Sequence, residues 1–360
     1  MRSSRRILTA VFVFSLLLAL LPSACLREHD VGSQVYPSEP LRLFLWEDSI
    51  PEELQREFER ESGITLQVDY FSQLDVLMER VNQDPGRYDV IAPSDYAVKW
   101  LLDRRLLVPL PLSAVKLRDR IDTSFRQPWY DDTLTFCLPY QRSLSALAYN
   151  KKHISPPPLR WADVLDAERA KTWAGRMSLM DDARETLGIM LLAAGEEATT
   201  SDPSKIEKAA ERLKKLVPSI VRFDSDRFED GLIDGSLWIA HGFNGDLARA
   251  CAANPDLAYV IPEEGALESV DNFAIPAKAR HIPQAVRFIE FILRPENAWR
   301  IMAVQGLGST LVESSLPKGD LPLDKSIVCD RPSNERTVHL HEKGETAAFA
   351  EKVWKTVRNF

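Results

Sequence analysis

The sequence predicts an α/β protein with two domains, and three observations lead to this fold class. The chain has 360 residues, 45% of them hydrophobic and 27% charged, which allows two packed cores of ordinary globular composition. From Leu41 onwards, short apolar runs alternate with amphipathic runs of helical period. No internal repeat or low-complexity block interrupts this alternation. The pattern is typical of parallel sheets covered by helices, with ligand sites at the carboxyl ends of the strands.

The first domain begins with three strand–helix pairs. Pro51 stands at the start of the first predicted helix and Gly63 directly after its end, where these residues favour helix boundaries. The predicted strands are 41–46, 64–71 and 88–93, and the predicted helices are 51–62, 74–83 and 96–105.

A second α/β unit follows Tyr140. It contains a Pro-rich turn and a segment, 236–250, that is interpreted as a buried strand, a Gly-containing turn and a helix. The other predicted elements are strands at 144–150 and 176–180 and helices at 203–217, 283–305 and 345–360.

Residues 1–24 have the three parts of an export signal. Three arginines among the first six residues form a basic head, residues 7–21 form an apolar run, and Ser23 and Ala24 form a small-residue cleavage site. The apolar run is shorter than the roughly 20 residues that a membrane span needs. We therefore predict that residues 1–24 are a signal peptide.

Cys25 directly follows this signal and resembles the cysteine of a bacterial lipobox, which becomes lipid-modified and forms the new N-terminus. The match is imperfect, because Pro22 stands where Leu is usual. We expect lipidation of Cys25, with residues 25–41 as a polar tether without helix or strand periodicity. Plain secretion with a coincidental cysteine is the alternative.

Charge and cysteine content argue against nucleic acid and metal ions as partners. The signal holds three arginines and no acidic residue, so its removal takes the formal charge from −8 to −11, which disfavours nucleic acid. Cys137, Cys251 and Cys329 can form at most one intramolecular disulfide. No CxxC or Cys/His spacing indicates a metal, so we expect neither metal nor cofactor.

Acidic and aromatic side chains follow several of the predicted strands. In SLMDDARETLG (178–188), Asp182 is placed to cap a helix, with Glu185 reaching back to the free backbone N–H groups. Carboxylates held ionised at a helix N-terminus could also bind a cation, and the two roles are compatible. Each of the other residues has a local alternative, such as core packing for Trp46 or a turn for Asp271, but their joint position after apolar strands favours a shared site.

Nearly the whole mature chain resembles the spermidine/putrescine-binding proteins of bacterial ABC importers. The segments that carry the resemblance are LFLWEDSIPEELQREFERESGI, YDVIAPSDYAV, SLMDDARETLG, GFNGD and SVDNFAIPAKA. The resemblance implies the two-lobed periplasmic binding-protein fold (type II), with mixed, mostly parallel sheets and a ligand slot between the lobes. Lobe 1 would comprise 42–141 and 272–314, and lobe 2 would comprise 142–271 and 315–360.

In that family, aromatic rings stack on the methylenes of the ligand and carboxylates bind its ammonium groups. The ligand-binding residues that the resemblance implies for this chain are Trp46, Glu47, Asp48, Ser94, Tyr96, Asp182, Glu185, Phe243, Asp246 and Asp271.

Four positions depart from the family pattern. Ser49, Ser269 and Leu307 replace aromatic residues, and Arg142 stands where a Pro-Tyr-x-Trp segment usually has its Trp. Fewer rings and an added cation predict a preference for short diamines over long polyamines. The departures also leave open a paralogue that binds another cationic or zwitterionic solute, with Arg142 meeting a carboxylate of the ligand.

The resemblance therefore implies a lipid-anchored, periplasmic, monomeric substrate-binding protein. It would capture putrescine or spermidine and deliver it to an inner-membrane ABC permease, touching the membrane only through its anchor. The alternative function is that of an enzyme, a hydrolase that uses Asp182 and Glu185 as acid and base. The sequence has no GxSxG, no HExxH and no Gly-rich phosphate loop, so we do not expect an enzyme.

Overall fold

The computed structural model describes residues 39–328, 337–339 and 344–358. The predicted signal peptide, the lipidation site Cys25 and nearly all of the tether lie outside the described residues, as does Cys329. Within the described ranges, no helix combines the length and the apolarity that a membrane crossing requires.

Eleven strands lie in one continuous sheet of the described residues. They are β1 (Leu41–Trp46), β2 (Leu66–Phe71), β3 (Val90–Ile91), β4 (Cys137–Asn150), β5 (Met177–Leu179), β6 (Ile220–Phe223), β7 (Ile239–Phe243), β8 (Leu257–Val260), β9 (Ala266–Ala274), β10 (Gly308–Ser309) and β11 (Thr337–His339).

The described residues also form fourteen α-helices. They are α1 (Glu52–Ser62), α2 (Leu74–Gln83), α3 (Asp95–Asp103), α4 (Leu112–Val115), α5 (Trp161–Leu165), α6 (Ala167–Ala170), α7 (Ala183–Leu192), α8 (Pro203–Leu216), α9 (Phe228–Ile233), α10 (Asn244–Ala253), α11 (Ile282–Ile292), α12 (Pro295–Gln305), α13 (Lys325–Val328) and α14 (Gly344–Arg358).

The sheet has two parallel parts, one in each lobe. In lobe 1, β1 lies between β2 and β3 and is parallel to both. In lobe 2, β5 lies between β6 and β7 and is parallel to both. Parallel strands need covering helices on their connections, which is why α1 and α2 follow β1 and β2, and α7 and α8 follow β5.

Two antiparallel strands connect the lobes. β4 pairs with β9 over Cys137–Leu144 and then with β7 over Ser145–Tyr149. The C-terminal end of β9 meets β3, since Ala274 lies opposite Ile91. Because β4 and β9 run through both parts of the sheet, the side chains at their midpoints lie between the lobes.

Each lobe has its own apolar core. Lobe 1 buries Phe44, Leu77 and Leu101 together with residues of the β1, α2 and α3 segments. Lobe 2 buries Trp161 and Ile189 among side chains of β4, β5, α7 and α8. Removal of this apolar surface from water is the main favourable term for both lobes, at about 25 cal/mol per Å².

Several predicted elements are confirmed with close bounds, and two need correction. β1 and α2 have the predicted bounds, and α1 ends at Gly63, whose backbone is left-handed at φ 70°. The single helix predicted over 283–305 is two helices, because Pro295 cannot continue the ladder of α11 and instead begins α12. The turn predicted in GFNGD is absent, since α10 begins directly after β7.

Candidate functional site

Asp271 lies where β4 and β9 pass between the lobes. Its carboxylate accepts hydrogen bonds from Ser94 Oγ, at the start of α3, and from Gln141 Nε2 on β4, at 2.9 Å. The side chain is buried, and burial raises the pKa of Asp271, while the bonds from Ser94 and Gln141 offset part of this rise. A buried carboxyl group is thus fixed between lobe 1 and the crossing strands.

The last residue of β1 and the two residues that follow it form the rim of lobe 1. Trp46 packs its ring against Phe71 at 4.5 Å between centroids, and its indole lowers the pKa of Asp271, although the indole Nε1 is buried without a hydrogen-bond partner among the described residues. Glu47 and Asp48 are exposed. The backbone of Asp48 is left-handed at φ 57°, and its carbonyl accepts a hydrogen bond from Gln305.

Asp182 caps α7 as predicted, whereas Glu185 does not take part in the cap. The Asp182 carboxylate accepts hydrogen bonds from the backbone N–H groups of Arg184 and Glu185, at 2.8 and 3.0 Å. The prediction that the Glu185 side chain reaches back to the start of α7 is wrong. Its carboxyl group points towards β4 instead and accepts a hydrogen bond from Ser145 Oγ. Glu185 is therefore aimed at the crossing strands.

Glu185 is a buried acid in an acidic environment. Burial raises its pKa to about 8, and the neighbouring Asp182 carboxylate adds to the rise. His241 Nε2 lies 4.0 Å from the Glu185 carboxyl, but burial lowers the pKa of His241 to about 3, so its ring is neutral at physiological pH. His241 meets Trp161 edge to face and belongs to the packing of lobe 2.

Asp95 is a further buried acid, which the sequence analysis did not select. Its Oδ1 accepts the backbone N–H of Tyr96 at 2.8 Å, whereas its Oδ2 is buried without a hydrogen-bond partner among the described residues. Burial raises the pKa of Asp95 well above its ordinary value, and the nearby Asp271 raises it further. This residue adds a third buried carboxyl group to those of Asp271 and Glu185.

Tyr96 meets a cation of the opposite lobe. Arg184, in the first turn of α7, donates from Nη1 to the Tyr96 hydroxyl at 2.7 Å, and its guanidinium carbon lies 3.9 Å from the centre of the Tyr96 ring. Tyr96 is 7% exposed and belongs to α3 of lobe 1. The contact therefore spans the space between the lobes.

The two remaining predicted residues lie at the end of β7 and in the first turn of α10. Phe243 ends β7 opposite Ser145 of β4. Asp246 forms an ion pair with Arg249, whose guanidinium also lies 3.1 Å from Glu229, while burial raises the pKa of Asp246 to about 6. Asp246 is thus already paired within lobe 2.

Arg142 does not share the face of β4 that carries Gln141. Successive side chains of a strand point to opposite faces, and Gln141 contacts Asp271. Arg142 is 4% exposed, and its guanidinium lies 3.6 Å from the buried carboxylate of Glu268. A ligand carboxylate would have to compete with Glu268 for this cation, which weakens the zwitterion alternative based on Arg142. The departure at Leu307 has another local role, since its side chain packs against Gly245.

The structure thus brings together a part of the predicted set. Asp271, Ser94 and Trp46 meet at the crossing strands, Asp182 and Glu185 approach from α7, and Tyr96 faces α7. Among the described residues, no group of three or more His, Cys, Asp or Glu side chains is arranged to hold a metal. The chemistry that these residues offer is an acidic, aromatic-lined site for a cation.

The sequence analysis missed Asp95, Gln141 and Arg184. Asp95 and Arg184 lie inside the quoted segments YDVIAPSDYAV and SLMDDARETLG, and Gln141 lies in the segment where Arg142 was singled out. Asp95 lies between Ser94 and Tyr96, which both belong to the predicted set, so its position after the strand was a usable signal for it. Strand alternation around β4 could have selected Gln141, because it places positions 141 and 142 on opposite faces.

Comparison with known proteins places the chain in a family. Residues 53–321 match the family model described as bacterial extracellular solute-binding protein. A curated relative, spermidine/putrescine-binding periplasmic protein 1 of Haemophilus influenzae, is 27% identical over 99% of both chains. The putrescine/cadaverine-binding protein of Pseudomonas aeruginosa is 28% identical over 77% of this chain and 81% of its own.

A solved structure agrees with these sequence matches. The TpPotD lipoprotein of Treponema pallidum superposes with a TM-score of 0.79 and 25% identity, over 89% of this chain and all of the other. The two-lobed α/β fold class predicted from the sequence is confirmed, as is the resemblance at the level of the family. The chain belongs to the bacterial extracellular solute-binding proteins.

Proposed function

We propose that this protein captures a polyamine, putrescine or spermidine, in the slot between its lobes for uptake by an ABC importer. The observation that carries the proposal is the convergence of the buried carboxyl groups of Asp271, Glu185 and Asp95 at the crossing strands, beside the ring of Trp46. Buried carboxyl groups are costly unless a cation or donors compensate them, and ammonium groups do both. The names of the relatives from H. influenzae and P. aeruginosa support the same ligand class.

Ligand binding would close the lobes. Asp271 and Glu185 are held by residues of different lobes or of the crossing strands, so a dication that meets both is bound best when the lobes converge. A ligand shifts the equilibrium towards the closed state by its differential affinity for that state. The boundaries that we propose are 42–141 with 272–314 for lobe 1 and 142–271 with 315–360 for lobe 2.

The cellular setting belongs to the same proposal. A lipidated Cys25 would hold the mature protein at a bacterial membrane, as a monomer that reaches an inner-membrane permease, and the T. pallidum neighbour is itself described as a lipoprotein. The site would bind its solute without chemical change and without a cofactor. A role for Asp182 and Glu185 as hydrolytic acid and base has little support, because Asp182 caps α7 and Glu185 bonds Ser145.

A thermal-shift panel with the purified mature protein tests the ligand class. Putrescine, cadaverine, spermidine, arginine, lysine and glucose are titrated separately. A ligand at a hundred times its Kd stabilises the folded protein by about 2.7 kcal/mol, so a polyamine should raise the melting temperature clearly. If no polyamine does so and arginine or another solute does, the ligand class is wrong.

A matched pair of variants links the shift to the slot. Asp182 and Asp202 both cap helices with their carboxylates, and Asn caps a helix about as well as Asp. Asp182→Asn removes a charge beside Glu185 and should weaken polyamine binding at least about tenfold, whereas Asp202→Asn at the exposed start of α8 should not change it. Equal affinities for the two variants would contradict a site at α7.

A further inference from the structure

The contact between Arg184 and Tyr96 resembles the contact that a binding site makes with an amine ligand. A cation stacked on an aromatic face, with an N–H donated to a hydroxyl, is the arrangement by which protein sites hold amines. Here the cation is a side chain of lobe 2, and the ring belongs to lobe 1. The chain itself therefore provides one cation inside the slot.

Acidic groups from several elements surround this guanidinium. Burial raises the pKa of Glu185 and of Glu351 on α14, and in both cases the Arg184 charge offsets part of the rise. Asp182 raises the pKa of both groups, and Asp75, on α2 of lobe 1, raises that of Glu351. Arg184 thus lies at an acidic end of the slot where the two lobes approach each other.

A second cation is disfavoured on the face of Tyr96 that Arg184 covers, for two reasons. The face of Tyr96 that Arg184 covers, at 3.9 Å, leaves no room for an ammonium group on the same side of the ring. Like charges placed next to each other also repel, and the repulsion is strongest where water is excluded. The carboxyl groups of Asp271 and Asp95 accept hydrogen bonds from Gln141 and from the Tyr96 backbone N–H, and together with Glu185 they remain the acidic groups to which a dication can bind.

We propose that Arg184 is a specificity-determining residue: it occupies the Tyr96 end of the slot as a built-in cation, and so restricts the site to compact dications such as putrescine and cadaverine. A longer polyamine with a third ammonium group would have to displace the guanidinium from Tyr96. This inference rests on the proposed function. It moves the origin of the diamine preference from Arg142, which pairs with Glu268, to Arg184.

Calorimetric titration of putrescine and spermidine tests the inference with four proteins: the wild type, Arg184→Ala, Arg184→Lys and Arg212→Ala. Arg212 is an exposed arginine of α8 and serves as the control. Arg184→Ala should raise the affinity for spermidine relative to putrescine at least about tenfold, because the like charge is gone. Arg184→Lys keeps a cation and should stay nearer to the wild-type ratio, as Arg212→Ala should also.

A purely structural role of Arg184 would lower stability without changing this ratio, so an unchanged ratio in Arg184→Ala overturns the inference. The titration of the wild type separates this failure from failure of the proposed function, and small-angle scattering of the ligand-free proteins tests the contact between the lobes. If the wild type binds no polyamine, the proposed function is wrong. A larger radius of gyration for ligand-free Arg184→Ala than for Arg212→Ala supports the contact between the lobes, and equal radii argue against it.

Discussion

Replacement of Glu185 by Gln should remove a large part of the pH dependence of stability. The Glu185 carboxyl is buried between α7 and β4, where Ser145 Oγ donates to it. Burial, with the Asp182 carboxylate next to it, raises its pKa from 4.5 to about 8. Gln has a similar shape and can still accept the Ser145 bond, but it does not titrate. The substitution thus separates the charge of Glu185 from its packing.

The magnitude follows from the two pKa values. Each pH unit between them corresponds to about 1.4 kcal/mol, so an increase from 4.5 to about 8 amounts to roughly 5 kcal/mol as an upper limit. The folded state holds the proton more tightly than the unfolded state does, so the contribution is fully present below pH 4.5 and is lost as the pH rises through 8. Between pH 5 and pH 8 the wild type should lose roughly 3 kcal/mol through this residue.

Urea denaturation of the ligand-free protein at pH 5, 6, 7 and 8 measures this effect. The free energy of unfolding of Glu185→Gln should rise relative to the wild type by roughly 3 kcal/mol across that range. Glu207→Gln, which changes an exposed acid of α8, should run parallel to the wild type. If Glu185→Gln also runs parallel to the wild type, Glu185 is ionised in the folded protein and the reasoning from its burial is wrong.

The same group couples ligand binding to protons. A cation that binds beside Glu185 favours the carboxylate, so binding near pH 7 should release close to one proton. Calorimetry of putrescine binding in two buffers of different ionisation enthalpy counts the protons released. Glu185→Gln should release clearly fewer, and an equal count would mean that the ligand cation lies away from Glu185.

Three further substitutions test other parts of the molecule. Asp271→Asn should weaken binding of putrescine by roughly 2–5 kcal/mol and leave the fold intact, because it removes a buried charge opposite a cation. Asp132→Asn, which changes an exposed acid, should leave the affinity unchanged. Calorimetry measures the affinities and thermal melts check the fold; an unchanged affinity of Asp271→Asn would remove Asp271 from the site. Gly242→Ala should destabilise lobe 2 by about 1–3 kcal/mol in urea denaturation, because the added Cβ would lie 2.1 Å from Cζ of the buried Phe228 ring. A change near zero in the free energy of unfolding would mean that the ring moves freely. Cys25→Ser should release the protein from the membrane fraction, and wild-type protein whose intact mass lacks a lipid would contradict the anchor.

The local order of the chain could be predicted because it depends on neighbouring residues. Pro51 and Gly63 bound α1, and the apolar period fixes β1 and α2. The break between α11 and α12 was also present in the sequence, as Pro295, but the continuous apolar period concealed it. The prediction of one helix followed the apolar period, whereas the proline decided where the helix ends.

The types of residue in the site were predictable, but their partners were not. Asp182 caps α7 because a cap needs only the next three residues, and the sequence contains them. Glu185 does not take part in the cap and instead accepts a hydrogen bond from Ser145, which is 40 positions away in the chain. Only the path of β4 beside α7 makes that bond possible, because a buried carboxyl group takes the donor that the fold places next to it.

By itself, the sequence determined the fold class, the family and the acidic, aromatic character of the slot, since these follow from periodicity and from residues at strand ends. The tertiary structure alone decided which groups meet. Gln141 reaches Asp271 across 130 positions, and Arg184 reaches Tyr96 across 88. Arg142 and Gln141 are neighbours in the chain, yet they point to opposite faces of β4. Contacts between distant residues depend on strand register and on the approach of the two lobes, and no local pattern of residues encodes either.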